Sequence, residues 1–119
     1  MNTVSKYHPL KHYTWGKDCD GWNLVDNETL SVKQERMPAY TAEALHYHKK
    51  AQQFFFVLKG EALFEIEGER RTVRKDEGIR IEPGQKHRII NGTEETLEFI
   101  LCSEPNTAND RYNIEDETR

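Results

Sequence analysis

Read for alternation, the middle of the chain is a series of short strands. Ala62-x-Phe64-x-Ile66 and Leu97-x-Phe99-x-Leu101 carry apolar residues at every second position, the period of a strand with one buried face. Leu30-Ser31-Val32-Lys33-Gln34 alternates as well. Turn signals separate these runs at Lys59-Gly60, Glu67-Gly68-Glu69, Glu77-Gly78, Pro83-Gly84 and Asn91-Gly92. Phe54-Phe55-Phe56-Val57-Leu58 is apolar on both faces. It predicts a central strand covered on both sides, because at an edge it would template aggregation. No convincing helical period competes. Short strands at this spacing predict an all-β sandwich or barrel. The N-terminal third is harder to read: Trp15, Cys19 and Trp22 punctuate a polar stretch, and Met37-Pro38-Ala39 marks a break. Residues 1–29 are therefore expected as an extension packed on the barrel, 30–105 as the barrel itself, and 106–119 as a polar tail, draped on the surface or frayed.

Composition sharpens this picture. At 119 residues the chain has room for one domain. Only 35% of residues are hydrophobic while 32% are charged, so the interior is expected to hold more than hydrocarbon. The longest apolar run is Phe54–Leu58, far short of the ~20 residues of a spanning helix, and the first twelve residues lack the apolar core of a signal peptide. A net charge of −4 with mixed signs along the chain argues against binding to a phosphate backbone and against a polybasic membrane surface. The two cysteines, Cys19 and Cys102, are expected as reduced thiols, which places the chain in the cytoplasm. Uncovered strand edges in a small β protein need a partner, so a homodimer is expected.

The sharpest chemical feature is His46-Tyr47-His48. On a strand, residues i and i+2 share a face, and two adjacent imidazoles can chelate one metal. Gln53 follows on the next segment, and His87 stands in Pro83-Gly84-Gln85-Lys86-His87, a tight turn entering a strand. Three imidazoles and an amide oxygen suit a divalent first-row ion such as Ni, Zn, Mn, Fe or Co. Phe55 and Val57 share the face of Gln53, and Ile89 that of His87, making them candidate walls of a substrate pocket. Gln34 and Arg36 share the parity of Leu30 and Val32; with those apolar residues inside, an amide and a guanidinium enter too, the latter needing an anionic partner. With the strand flipped, both are in solvent. Trp15, Trp22 and Tyr40 either cover the mouth or simply pack. No catalytic acid–base pair is legible; His8 and His12 qualify by residue type alone.

These residues resemble the two sequence motifs of the cupin superfamily. His46-Tyr47-His48-x4-Gln53-x6-Gly60 is similar to His-x-His-x(3–4)-Glu-x6-Gly. Pro83-Gly84-x2-His87-x3-Asn91 is similar to the end of Gly-x5-Pro-x-Gly-x2-His-x3-Asn. The resemblance covers residues 30–105 and implies a double-stranded β-helix, or jelly roll. It also implies a metal held by His46, His48, Gln53 and His87. The chain departs from the pattern where glutamine stands for glutamate, and where Glu82 and Asp76 replace the proline and the opening glycine of the second motif. The spacing to Gly60 selects Gln53 for the glutamate position, while a shorter spacer selects Gln52. A neutral glutamine leaves the metal charge uncompensated, so either affinity falls while a bound water turns more acidic, or the metal is lost and the pocket takes a ligand directly. The family's reactions include dioxygenation, decarboxylation, isomerisation and epimerisation. A metal-dependent enzyme acting on a small oxygen-bearing, anionic substrate is thus expected, with a non-catalytic ligand-binding or sensory module as the alternative.

Overall fold

The computed structural model describes residues 2–114. Among the described residues there are twelve strands and no helix. Six make one antiparallel sheet in the order β1 (Lys11–Trp15), β2 (Cys19–Asp26), β3 (Ser31–Met37), β11 (Leu97–Glu104), β6 (Gln52–Lys59) and β9 (Gly78–Ile81). The second runs β12 (Tyr112–Asn113), β5 (His46–Tyr47), β10 (His87–Asn91), β7 (Glu61–Ile66) and β8 (Glu69–Arg74), with β4 (Thr41–Ala42) also paired to β10. Hydrogen bonding thus gathers the described strands into two facing sheets rather than one closed barrel. The polar stretch before residue 30 is a hairpin, β1–β2, that lengthens the first sheet beyond β3.

The alternation read from the sequence sorts residues between interior and outer face. On β6, Gln53, Phe55 and Val57 are buried while Phe54 is exposed. That strand lies between β11 and β9, as its apolar character requires. Phe55 meets Phe64 across the two sheets with ring centroids 4.9 Å apart, and Phe99 beside it at 5.6 Å. Met37, Val57, Ala62, Ile89 and Leu97 complete this apolar plug. Gly60 makes the turn from β6 to β7 possible: its φ is +81°, and a Cβ there would sit 2.6 Å from the Thr96 carbonyl oxygen, a contact only glycine avoids.

One parity reads the other way. On β3 the inward residues are Ser31, Lys33, Glu35 and Met37, so Gln34 and Arg36 lie on the outer face. Arg36 binds the Asp20 carboxylate at 2.6 Å, and Gln34 reaches toward Glu98. Leu30 and Val32 misdirect the expectation because the outer face of this sheet is itself apolar: Val32 pairs with Cys102, which pairs with Phe54.

The tail is tied down as far as residue 114. Asp110 is buried, and its carboxylate accepts the backbone N–H groups of Lys49, Lys50 and Ala51 at 2.8, 3.0 and 3.1 Å. β12 then pairs with β5. The remainder of the expected tail, 115–119, lies outside the described residues.

Candidate metal centre and its cavity

Strand register brings the histidines together. His46 and His87 are direct cross-strand partners on β5 and β10, with ring centroids 4.4 Å apart. His48, two residues on, lies 4.9 Å from His46 and 5.5 Å from His87. The Pro83-Gly84 turn is fastened to the same spot, since the Gly84 N–H donates to the His48 carbonyl at 2.7 Å. All three rings are buried, and one nitrogen of each lies within 4.8 Å of the others.

Hydrogen bonding decides which nitrogen that is. Nδ1 of His46 faces the Ala44 carbonyl at 2.8 Å, that of His48 the Asp110 carbonyl at 2.6 Å, and that of His87 the Gln85 carbonyl at 2.8 Å. A carbonyl only accepts, so each Nδ1 carries the proton and each Nε2 offers a lone pair. Burial keeps the rings neutral: it lowers His46 to about 3 and His87 to about 4, and lowers His48 as well. His48 Nε2 is buried with no hydrogen-bond partner among the described residues. His87 Nε2 lies 3.1 Å from Gln53 Oε1, and the Gln53 amide is turned that way by donating to Ser103 Oγ at 3.0 Å. Lone pairs facing one another, with one orphaned, form a donor set that a cation would satisfy. Three neutral imidazoles and an amide oxygen fit a divalent transition ion, and the carbonyls behind them are the outer contacts that orient such ligands.

The centre opens into a cavity of about 520 Å³. Phe55, Leu101 and Trp15 supply apolar wall; Tyr13, Lys33, Glu35, Glu43 and Arg111 supply polar groups. Glu35 is buried and accepts the Tyr13 hydroxyl. Burial raises its carboxyl, and raises that of Glu43 to about 8 against the opposing charge of Arg111. Burial thus favours the protonated form of Glu43, and its Oε1 accepts the Ile89 N–H at 3.1 Å.

Among the candidate pocket residues, Phe55 lines this cavity. Val57 and Ile89 are buried in the plug, and Gln34 and Arg36 lie outside. Gln52 is on the outer face with Arg80 and Glu104. His12 pairs with Asp20 at 2.9 Å and stacks on Trp22, and His8 is exposed. Of the three candidate mouth aromatics, Trp15 lines the cavity, Trp22 is taken up by His12, and Tyr40 is 67% exposed. The polar lining residues Tyr13, Lys33, Glu35, Glu43, Thr107 and Arg111 were not among the expected site residues. Lys33 and Glu35 share the parity of Met37, so the methionine was the better marker of the inner face. Tyr13, Glu43 and Arg111 sit in no recognisable pattern.

Residues 33–103 match the cupin domain. The chain belongs to the cupin family. An uncharacterized protein of Methanocaldococcus jannaschii is 26% identical over 83 residues, 70% of this chain and 66% of that protein. Among solved structures, KdgF from a Halomonas species superimposes with a TM-score of 0.81 at 14% identity, covering 92% of this chain and 97% of that one. The polyketide cyclase RemF of Streptomyces resistomycificus gives 0.80 at 16% identity, covering 99% and 88%. These likenesses extend the family's fold over the N-terminal hairpin and the last strands.

Proposed function

We propose that this cupin is a metal-dependent enzyme. A divalent transition ion is held by His46, His48 and His87 with the Gln53 amide oxygen, and a small oxygen-bearing substrate occupies the adjoining cavity. The observation that carries the reading is the inward convergence of three neutral Nε2 lone pairs, one of them orphaned, at the floor of that cavity. Bound there, the ion would supply a Lewis acid that polarises a substrate oxygen or acidifies a water. The chain's own groups supply proton traffic. Glu43, whose protonated form burial favours, can give a proton to a substrate atom, and Glu35 with its Tyr13 partner forms a second proton-holding pair. Phe55 and Leu101 keep water from the walls.

Protein purified without chelators is expected to carry close to one transition ion per chain, which elemental analysis measures. Failure to take up Ni, Zn, Mn, Fe or Co after reloading overturns the metal reading. Turnover against small organic acids, diketones and sugars tests the enzyme reading; saturable binding without turnover in every case would make the protein a ligand-binding module. The free thiols of Cys19 and Cys102 support a cytoplasmic setting. The apolar outer face around Phe54, Phe56 and Ile100 supports a homodimer, and light scattering should then give twice 14.0 kDa.

A further inference from the structure

The rim of the cavity carries a chemistry that the histidine centre leaves unused. Arg111 reaches over the cavity from the segment before β12, with Nη1 3.9 Å from Glu43 Oε2. The side chain is 42% exposed at the rim, and it lines the cavity together with Glu35, Glu43, His46 and His48. Its Nε is engaged by Asn113 Oδ1 at 2.9 Å. That bond occupies Nε, while Nη1 points toward Glu43 in the cavity lining. The backbone presenting it is anchored one residue earlier by the Asp110 carboxylate, which holds three N–H groups of residues 49–51. A second cation, Lys33, lines the same cavity from the opposite sheet.

Among the described residues, no group of the lining hydrogen-bonds the Nη groups of Arg111 or the Lys33 ammonium. Glu35 is already taken by Tyr13, and Glu43 faces Arg111 only as a long ion pair at 3.9 Å, without a direct hydrogen bond. A planar guanidinium fork binds a carboxylate through two parallel hydrogen bonds, a geometry that a point charge does not offer. Trp15, Phe55 and Leu101 also line the cavity, a surface for a short carbon skeleton.

We infer that the cavity takes a small organic carboxylate, its carboxylate group docked on Arg111 beside Lys33 and a second oxygen of the same molecule directed toward the histidines. This deepens the function proposed above by naming the substrate class, and it rests on that reading only for the placement of the second oxygen.

The test is calorimetric titration with two matched pairs, pyruvate against methyl pyruvate and galacturonate against galactose, on both metal-loaded and chelator-treated protein. At least one acid should bind about tenfold or more tightly than its neutral partner, the scale of a charge-assisted hydrogen bond pair. Arg111→Gln should abolish that preference and Arg111→Lys should restore part of it, with metal content unchanged in both variants. The inference is overturned if neither acid binds, if the neutral partners bind as well, or if the preference survives Arg111→Gln. Should the Gln variant fail to fold, the wild-type pairs and the Lys variant still decide. Protein that takes up no metal yet prefers the acid through Arg111 would sink the metal reading and leave this inference standing.

Discussion

The two ends of the space between the sheets are built from the same strands and differ in almost everything else. On the three central strands of the first sheet, register stacks Ser31, Ser103 and Gln53 at one end, facing the histidines. Toward the other end, Met37 stands opposite Leu97, and Phe99 opposite Val57. One end is closed hydrocarbon and the other a polar centre open to a cavity. The contrast separates stability from chemistry: the plug holds the sheets together, so the other end can keep lone pairs, carboxyls and a cavity that a stable core would eliminate.

The largest effect should come from the plug. Phe64 is fully buried against Phe55, and Phe64→Ala should cost about 3–5 kcal/mol by urea denaturation. Metal content per folded molecule should stay unchanged. A loss of metal at retained stability would show that the two ends are not separable.

The second effect belongs to acid. Burial holds His46 near 3, His87 near 4 and His48 low, against about 6.5 in an unfolded chain. Below that value the unfolded chain binds protons that the folded protein refuses. Stability of the metal-free protein is therefore full above about 6.5 and falls as pH drops toward 4, each histidine contributing at most about 1.4 kcal/mol per pH unit. Glu43, raised to about 8, has the opposite slope between its unfolded value and 8 and offsets one of them. His46→Asn should flatten the acid limb by one proton's worth in denaturation curves taken at pH 4.5–6.5. An unchanged slope would mean that this imidazole is as solvated as a surface one, and the contrast between the ends would collapse.

What the sequence made legible follows the same division. Alternation on β6, β7 and β11 was enough to sort plug residues such as Phe64 and Phe99, because hydrophobic burial is local and periodic. The His-x-His pair and His87 were visible because the resemblance to the cupin motifs spans two distant segments, and the family match confirms that resemblance. The remaining lining of the cavity was not visible. Lys33 and Glu35 are polar residues pointing inward next to apolar ones pointing out, the reverse of what hydrophobicity teaches. Arg111 arrives from a polar tail fastened by Asp110 and by the short β12–β5 pairing, and a single buried carboxylate leaves no pattern in a sequence.

That anchor gives the third prediction. Asp110 caps three N–H groups and presents its carbonyl to His48. Its carboxyl is held below the usual range: burial pushes it up, and the three backbone hydrogen bonds outweigh that. A depressed carboxyl adds stability above its unfolded value near 3.9 and loses it as pH falls through the lower folded value. Asp110→Ala should cost about 1.5–3 kcal/mol at neutral pH. It should also weaken metal binding through the loosened His48 ring, by about tenfold or more, in competition with a chromophoric chelator. Loss of stability with metal affinity intact would make the segment a staple and not part of the centre.

The smallest effect is the most informative about the departure from the family pattern. Gln53 stands where the first cupin motif has glutamate, with its oxygen toward His87 and its amide on Ser103. Gln53→Glu introduces a charge into a buried site, and without a cation that charge has no partner, so the metal-free variant should be less stable than wild type. With the ion bound, the carboxylate neutralises half of its charge, and affinity should rise about tenfold, or about 1.4 kcal/mol. The two changes have opposite signs in one protein. Thermal melts with and without metal should therefore cross, the variant melting below wild type when chelated and above it when loaded. If loading rescues nothing, the ion does not meet residue 53, and the glutamine is a hydrogen-bonding neighbour of a three-histidine centre.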